Sequence, residues 1–247
     1  MVDAFNRRLV QREVALQTGP GNVRGVPVAV QGTVLFNAAR SYERFLLGLF
    51  FPALLLLAAA MAMVSAFGRE FRDTTASDWL HSADGRMSVA VIGKLLPYIA
   101  LFMLYGMAGI LWICARSGAP AGSLLMLAAG QAALYAAYGA VALLLVGATR
   151  DMGTSLSVMG LYAGTAMAFS AGTFPMLEAP LFARVWSTLL PFSHYVKLQA
   201  QQLDMGSAWT VSLWPLAMLL LFVVIAGGLG LKMVMRALPA HAGGKSS

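Results

Sequence analysis

The sequence is short of charge and nearly without cysteine. Of its 247 residues only 11% are Asp, Glu, Lys or Arg, while 59% are hydrophobic, and the mean hydropathy is +0.74. Soluble domains carry about 25% charged residues, because a folded surface facing water needs polar cover. This chain lacks that cover, which excludes a water-soluble globular protein and makes lipid its solvent. Its single cysteine, Cys114, forms no internal disulfide. Its three histidines, His81, His194 and His241, have no Cys or carboxylate at ligand spacing, so no metal site is expected. The N-terminus has no apolar run of the kind a signal peptide needs.

What the sequence has instead is five long apolar runs, at 46–66, 95–115, 122–148, 154–174 and 212–235. A helix needs about 20 apolar residues to cross about 30 Å of hydrocarbon. The expected fold is therefore an all-α integral membrane protein, with about five transmembrane helices plus short external interfacial or re-entrant helices. The fourth run carries Gly160, Gly164, Ala168 and Gly172, a small residue at every fourth position. That spacing makes a helix–helix or dimer seam, or it is the incidental yield of a glycine-rich membrane protein. Between the last two runs, Leu181, Phe182, Val185, Trp186, Leu189 and Leu190 recur at helical spacing between Pro180 and Pro191. The piece that follows, 193–203, is more polar, with His194, Lys197, Gln199, Gln201 and Gln202. Two short helices lying in or dipping into the interface fit this pattern.

The net charge of +7 does not form a stripe of the kind nucleic acid would select. The basic residues sit in loops and tails, as membrane topology signals do. Arg69, Arg72, Arg86, Lys94, Arg150, Lys232, Arg236 and Lys245 fall on one side of the expected membrane, against Arg116, Arg184 and Lys197 on the other. The positive-inside rule puts the first group in the cytoplasm, which forces the polar segment 1–44 outside. That segment begins as an amphipathic helix, breaks at Gly19-Pro20-Gly21 and continues as a Val-rich strand at 26–36. Its six arginines conflict with an outer location, unless it is the end of an exported domain that followed an earlier membrane helix.

Sites for covalent chemistry are scarce. Gly243-Gly244-Lys245-Ser246 imitates a phosphate-binding loop, but Pro239 stands where the first glycine belongs and no helix follows. No GxSxG elbow and no HExxH motif is present. The spans lack the carboxylates and arginines that mark proton relays, so neither an enzyme nor a proton-driven transporter is expected, and no cofactor of its own. The most informative loop is 68–81. There Thr75 and Asp78 have the spacing of a helix N-cap with its acidic partner. A short helix starting there is expected to show Trp79 and Leu80 to a partner, or else to lie with Trp79 among lipid headgroups.

With these residues in view, the chain resembles the permease subunits of type-2 ATP-binding-cassette exporters of the drug and polysaccharide group. Gly68-Arg69-Glu70 followed by Thr75 is similar to that family's coupling-helix segment, although Thr74-Thr75 replaces its usual Gly-Thr. Gly93-Lys94-Leu95-Leu96-Pro97 resembles the start of its third helix. Gly172-Thr173-Phe174-Pro175, Pro180 and Leu190-Pro191-Phe192-Ser193-His194-Tyr195 resemble its external re-entrant helices, and Val34-Leu35-Phe36-Asn37 the end of its external domain. The family has six helices, so the resemblance implies an N-terminally truncated permease: 1–45 an external-domain remnant, 46–236 the permease domain and 237–247 a cytoplasmic tail.

The same resemblance implies a multi-pass protein of the inner (plasma) membrane, in contact with lipid, that forms a translocation pathway. It implies a separate ABC ATPase subunit that binds the ATP, a second permease subunit (homo- or heterodimeric), and in some members a periplasmic adaptor. Nucleic acid is not among the implied partners. Coupling would fall to Glu70, Thr75, Asp78, Trp79 and Leu80, and the external re-entrant segment would include Phe174, Pro175, Pro191 and His194. The alternatives are a membrane-embedded scaffold that transports nothing and, more remotely, an intramembrane enzyme using His194.

Overall fold

A computed structural model describes residues 46–117, 122–170 and 180–237. The segment 1–45, with the expected strand, the residues Gly172, Phe174 and Pro175, and the tail from 238 lie outside the described residues. Helix α1 (Phe51–Arg72) is entered through one π-helical turn, Leu46–Phe50. A short α2 (Ala76–His81) leads to α3 (Met87–Ser117), α4 (Leu124–Thr149) and α5 (Met152–Gly164). Two short helices follow, α6 (Leu181–Thr188) and α7 (Pro191–Leu203), and a 3₁₀ turn, Trp209–Ser212, opens α8 (Leu213–Ala237). There is no strand among the described residues.

Four helices are long and apolar enough to cross a membrane: α1, α3, α4 and α8, the first and last together with their leading turns. The fifth expected span behaves differently. Its helix α5 has 13 residues, about 20 Å at 1.5 Å per residue, and ends at Gly164-Thr165, two poor helix formers. Turns then run from Thr165 to Phe169. The small-residue stripe therefore does not continue along one helix. Gly164 has open space where a Cβ would stand, and Gly160 would meet only the Met61 methyl, at 3.9 Å. Neither glycine is pressed against the backbone of a neighbouring helix.

The intramolecular seam runs instead between α4 and α8. A Cβ on Gly230 would lie 2.9 Å from the Leu144 backbone nitrogen, and one on Gly147 would lie 3.0 Å from that of Val234. In lipid no hydrophobic force pulls one apolar helix onto another, so close backbone approach through small residues supplies the van der Waals contact. Helix α4 is the hub: 67% of its apolar window is buried inside the protein, against 44% for α1, 22% for α8 and 17% for α3. Large side chains, Tyr135, Tyr138, Leu134 and Leu143, are fully covered along it. Helix α3 reaches the bundle through its own glycines, Gly106 against Gln131 and Gly109 against Phe51.

The α4–α8 seam makes a controlled comparison. Gly230→Ala must push two backbones apart and is expected to destabilise the bundle by about 1–3 kcal/mol. Gly228→Ala, where nothing lies within 4 Å of the new methyl, is expected to leave stability unchanged or slightly raised. Equilibrium unfolding of the two variants in mixed micelles checks this, and equal stabilities would contradict a seam at Gly230.

Candidate functional site: the α1–α2–α3 corner

At the end of the bundle where α1 and α4 finish, the chain builds a polar corner. Gly68 brings α1 against the first turn of α5: its missing Cβ would sit 2.7 Å from Cγ of Met152. Asp151 starts α5 by accepting the Thr154 amide on Oδ2 at 2.6 Å. That backbone hydrogen bond holds the Asp151 carboxyl below the ordinary carboxylate range. The helices then turn back through α2.

Two sharp turns frame α2. Asp73–Thr75 joins it to α1, with Thr74 at φ +58°, and the turn into α3 has Asp84 at φ +51° and Gly85 at +73°. A β-branched residue is seldom found in that left-handed region, whereas glycine enters it freely. Thr74 therefore holds a strained backbone.

The expected coupling residues are brought together, though not all as the sequence suggested. Thr75 stands at the N-terminus of α2, but its hydroxyl does not cap the helix. It donates instead to Oε2 of Glu70 at 2.6 Å, because Glu70 lies one turn back on α1 and offers a charged acceptor. The other carboxylate oxygen of Glu70 pairs with the Lys94 ammonium from α3. Lys94 also lies over the Trp79 ring, 4.9 Å from its centroid, and Trp79 packs at 6.0 Å against Phe67 of α1. Trp79 and Leu80 are half-buried against the main core and are not presented outward. Ala76, Trp79 and Leu80 share one face by their i, i+3, i+4 spacing, and that face takes the bundle. Asp78, His81 and Ser82 are exposed.

The corner was only partly legible in the sequence. Lys94 read as a topology charge and a motif letter; its partner is 24 residues away, a pairing no local spacing reveals. Beside this cluster, Trp79, Ser82, Ala83, Val89, Ala90, Gly93 and Lys94 line an open cleft of about 410 Å³.

The re-entrant residues lie elsewhere. Pro191 opens α7 and is buried. His194, half-buried, contacts the Thr188 carbonyl through Nε2 at 3.1 Å and the Phe222 ring at 5.9 Å. A carbonyl only accepts, so Nε2 carries the proton, and burial pushes the His194 pKa below its ordinary value. The buried polar residues of α7, Ser193, Gln199 and Gln202, face protein, whereas Lys197 is exposed. Gln131 of α4 donates to the Tyr195 hydroxyl at 3.2 Å, Gln199 donates to the Gly48 carbonyl, and Gln202 donates to Ser212 Oγ at 2.8 Å. Trp186 of α6 donates to Thr165 Oγ1 at 3.3 Å. Among the described residues, no three His, Cys, Asp or Glu side chains converge.

Relieving the turn strain gives a direct check on the corner. Thr74→Gly is expected to raise stability by about 0.5–1 kcal/mol, the left-handed cost removed less the added unfolded-chain entropy. A thermal unfolding midpoint below that of the unaltered protein would contradict the strained turn.

Over residues 2–232 the chain matches the family model described as ABC-2 family transporter protein. No curated protein and no solved structure matches it. With that match reaching from before α1 into the last turns of α8, the chain belongs to the ABC-2 family of transporter proteins, whose members are multi-pass membrane permeases.

Proposed function

We propose that this protein is the permease subunit of an ATP-driven exporter of the inner membrane. In this reading it provides the translocation pathway, and a separate ABC ATPase binds and hydrolyses the ATP. The observation that carries the reading is the α1–α2–α3 corner within a chain of this family. A short helix with an exposed polar face, Asp78, His81 and Ser82, is fastened by its other face to two membrane-spanning helices.

The positive-inside rule assigns this corner to the cytoplasm, together with Arg150, Lys232 and Arg236. The ATPase docks there. Two permease subunits face one another across the pathway, and closure of the ATPase pair pushes on α2 and tilts the spans. The opposite end carries α6, α7 and the exposed Trp209 and Trp214, and α6–α7 closes the pathway on the outer side.

Trp79 separates this reading from that of a membrane scaffold. Its ring contacts with Phe67 and Lys94 are each worth about 0.5–1.5 kcal/mol, and together they shift the ordered population of α2 roughly tenfold. Trp79→Ala is expected to cut permease-stimulated ATP hydrolysis by about that factor, with permease abundance in the membrane unchanged. Unaltered stimulation would remove Trp79 from the coupling path. Absence of any ATPase that co-purifies with the permease would favour the scaffold.

Sidedness has its own check. Met205 is exposed just after α7. A Met205→Cys substitution in a Cys114→Ala background is expected to react with an impermeant maleimide added to intact cells. Labelling only after the cells are broken would reverse the orientation.

A further inference from the structure

We infer that Lys94 is the positioning residue that carries movement of α2 into the membrane, by clamping α2 to α3 through Glu70 and Trp79. The inference rests on the proposed role of α2 and adds the route by which force leaves it.

The two covalent connections of α2 are poor transmitters. Residues 73–75 and 82–86 are short, largely exposed turns with left-handed residues at 74, 84 and 85, so a push on α2 bends them first. The stiff contact is lateral. The Lys94 ammonium meets one oxygen of Glu70 while Thr75 holds the other, and the Trp79 ring lies beneath the same ammonium. The side chains of Lys94 and Glu70 are only 19% and 17% exposed. Water therefore screens this pair far less than the surface pair Arg72–Asp73, where the exposures are 57% and 49%. One cation thus contacts α1 through Glu70 and α2 through Trp79, and its own backbone belongs to α3.

The place of Lys94 along α3 sets the direction of the effect. It lies about two turns inside a helix that starts at Met87, so a push delivered there acts on the helix body and cannot be lost by fraying of its end. Helix α3 is also the least enclosed of the four spans, with 17% of its apolar window buried, and Pro97 sits three residues further on. A proline inside a helix removes a backbone hydrogen bond and makes a natural bend. The clamp therefore acts on the least enclosed span, on the N-terminal side of its proline.

Two arms of one experiment test this, using the full chain in lipid nanodiscs with its co-purified ABC ATPase. The first needs no ATPase: hydrogen exchange of the 73–86 segment. Lys94→Met and Glu70→Gln are expected to speed its exchange roughly tenfold. Lys94→Arg, which keeps a cation facing both Glu70 and the Trp79 ring, is expected to restore protection. Unchanged exchange in Lys94→Met overturns the clamp, whatever the ATPase does.

The second arm compares ATPase binding with stimulated hydrolysis. A transmitting Lys94 predicts that Lys94→Met retains the bound ATPase, through the exposed face of α2, while stimulation falls roughly tenfold. It also predicts recovery in Lys94→Arg. Loss of binding in proportion to stimulation would make Lys94 a folding residue only and overturn the proposal. If exchange responds as expected but no ATPase co-purifies, the clamp stands as structure, the transmission role is overturned, and the fault lies in the exporter reading.

Discussion

Everything in this bundle is arranged around one close approach, that of α4 to α8. Where Gly147 and Gly230 face the opposing helix, the two backbones come as near as helices can. That proximity replaces the hydrophobic drive that lipid does not supply. It also makes α4 the most enclosed of the spans, so the remaining helices pack on a column that is already fixed. Helices α1, α3, α5 and α7 each take part of the surface of α4. Of the other three spans none is enclosed to the same degree, and α3 is the least held.

The same constraint governs the polar residues. A membrane interior leaves no water to satisfy a buried amide. Around α7 that demand is met through the amide nitrogens alone: Gln199 donates to Gly48 ahead of α1, Gln202 to Ser212 ahead of α8, and Gln131 of α4 to Tyr195, while the three amide oxygens stay buried without a partner among the described residues. A short helix beginning at Pro191 can thus be buried among apolar spans without being a span itself. At the other end, Glu70, Thr75 and Lys94 satisfy one another, and they join three helices that sequence separates. Both ends of the protein are therefore latched by short polar constellations, with an apolar column between them.

How much of this was legible in the sequence depends on distance along the chain. Apolar runs gave four spans directly, since length and composition are local properties. In the fifth run the described helix ends at Gly164, since Gly164 and Thr165 cost a window average little and yet are poor helix formers. Small residues at every fourth position marked a face on paper, but the working seam is made by Gly147 and Gly230 on different helices, 83 residues apart by their numbers. Trp79 faces the bundle, and the i, i+3, i+4 spacing of Ala76, Trp79 and Leu80 spells that inward face. Thr74 is the reverse case. Its left-handed backbone is a conformation that the residues around it do not announce.

The account makes α2 and α3 one mechanical unit driven by a bound ATPase. The most direct test compares hydrogen exchange of the reconstituted complex without nucleotide and with ATP trapped by a hydrolysis-deficient ATPase. The account requires protection to change together in 73–86 and in the first turns of α3 through Lys94, with the α4–α8 column unchanged. A change confined to α2, or one that reaches the column while sparing α3, would contradict it.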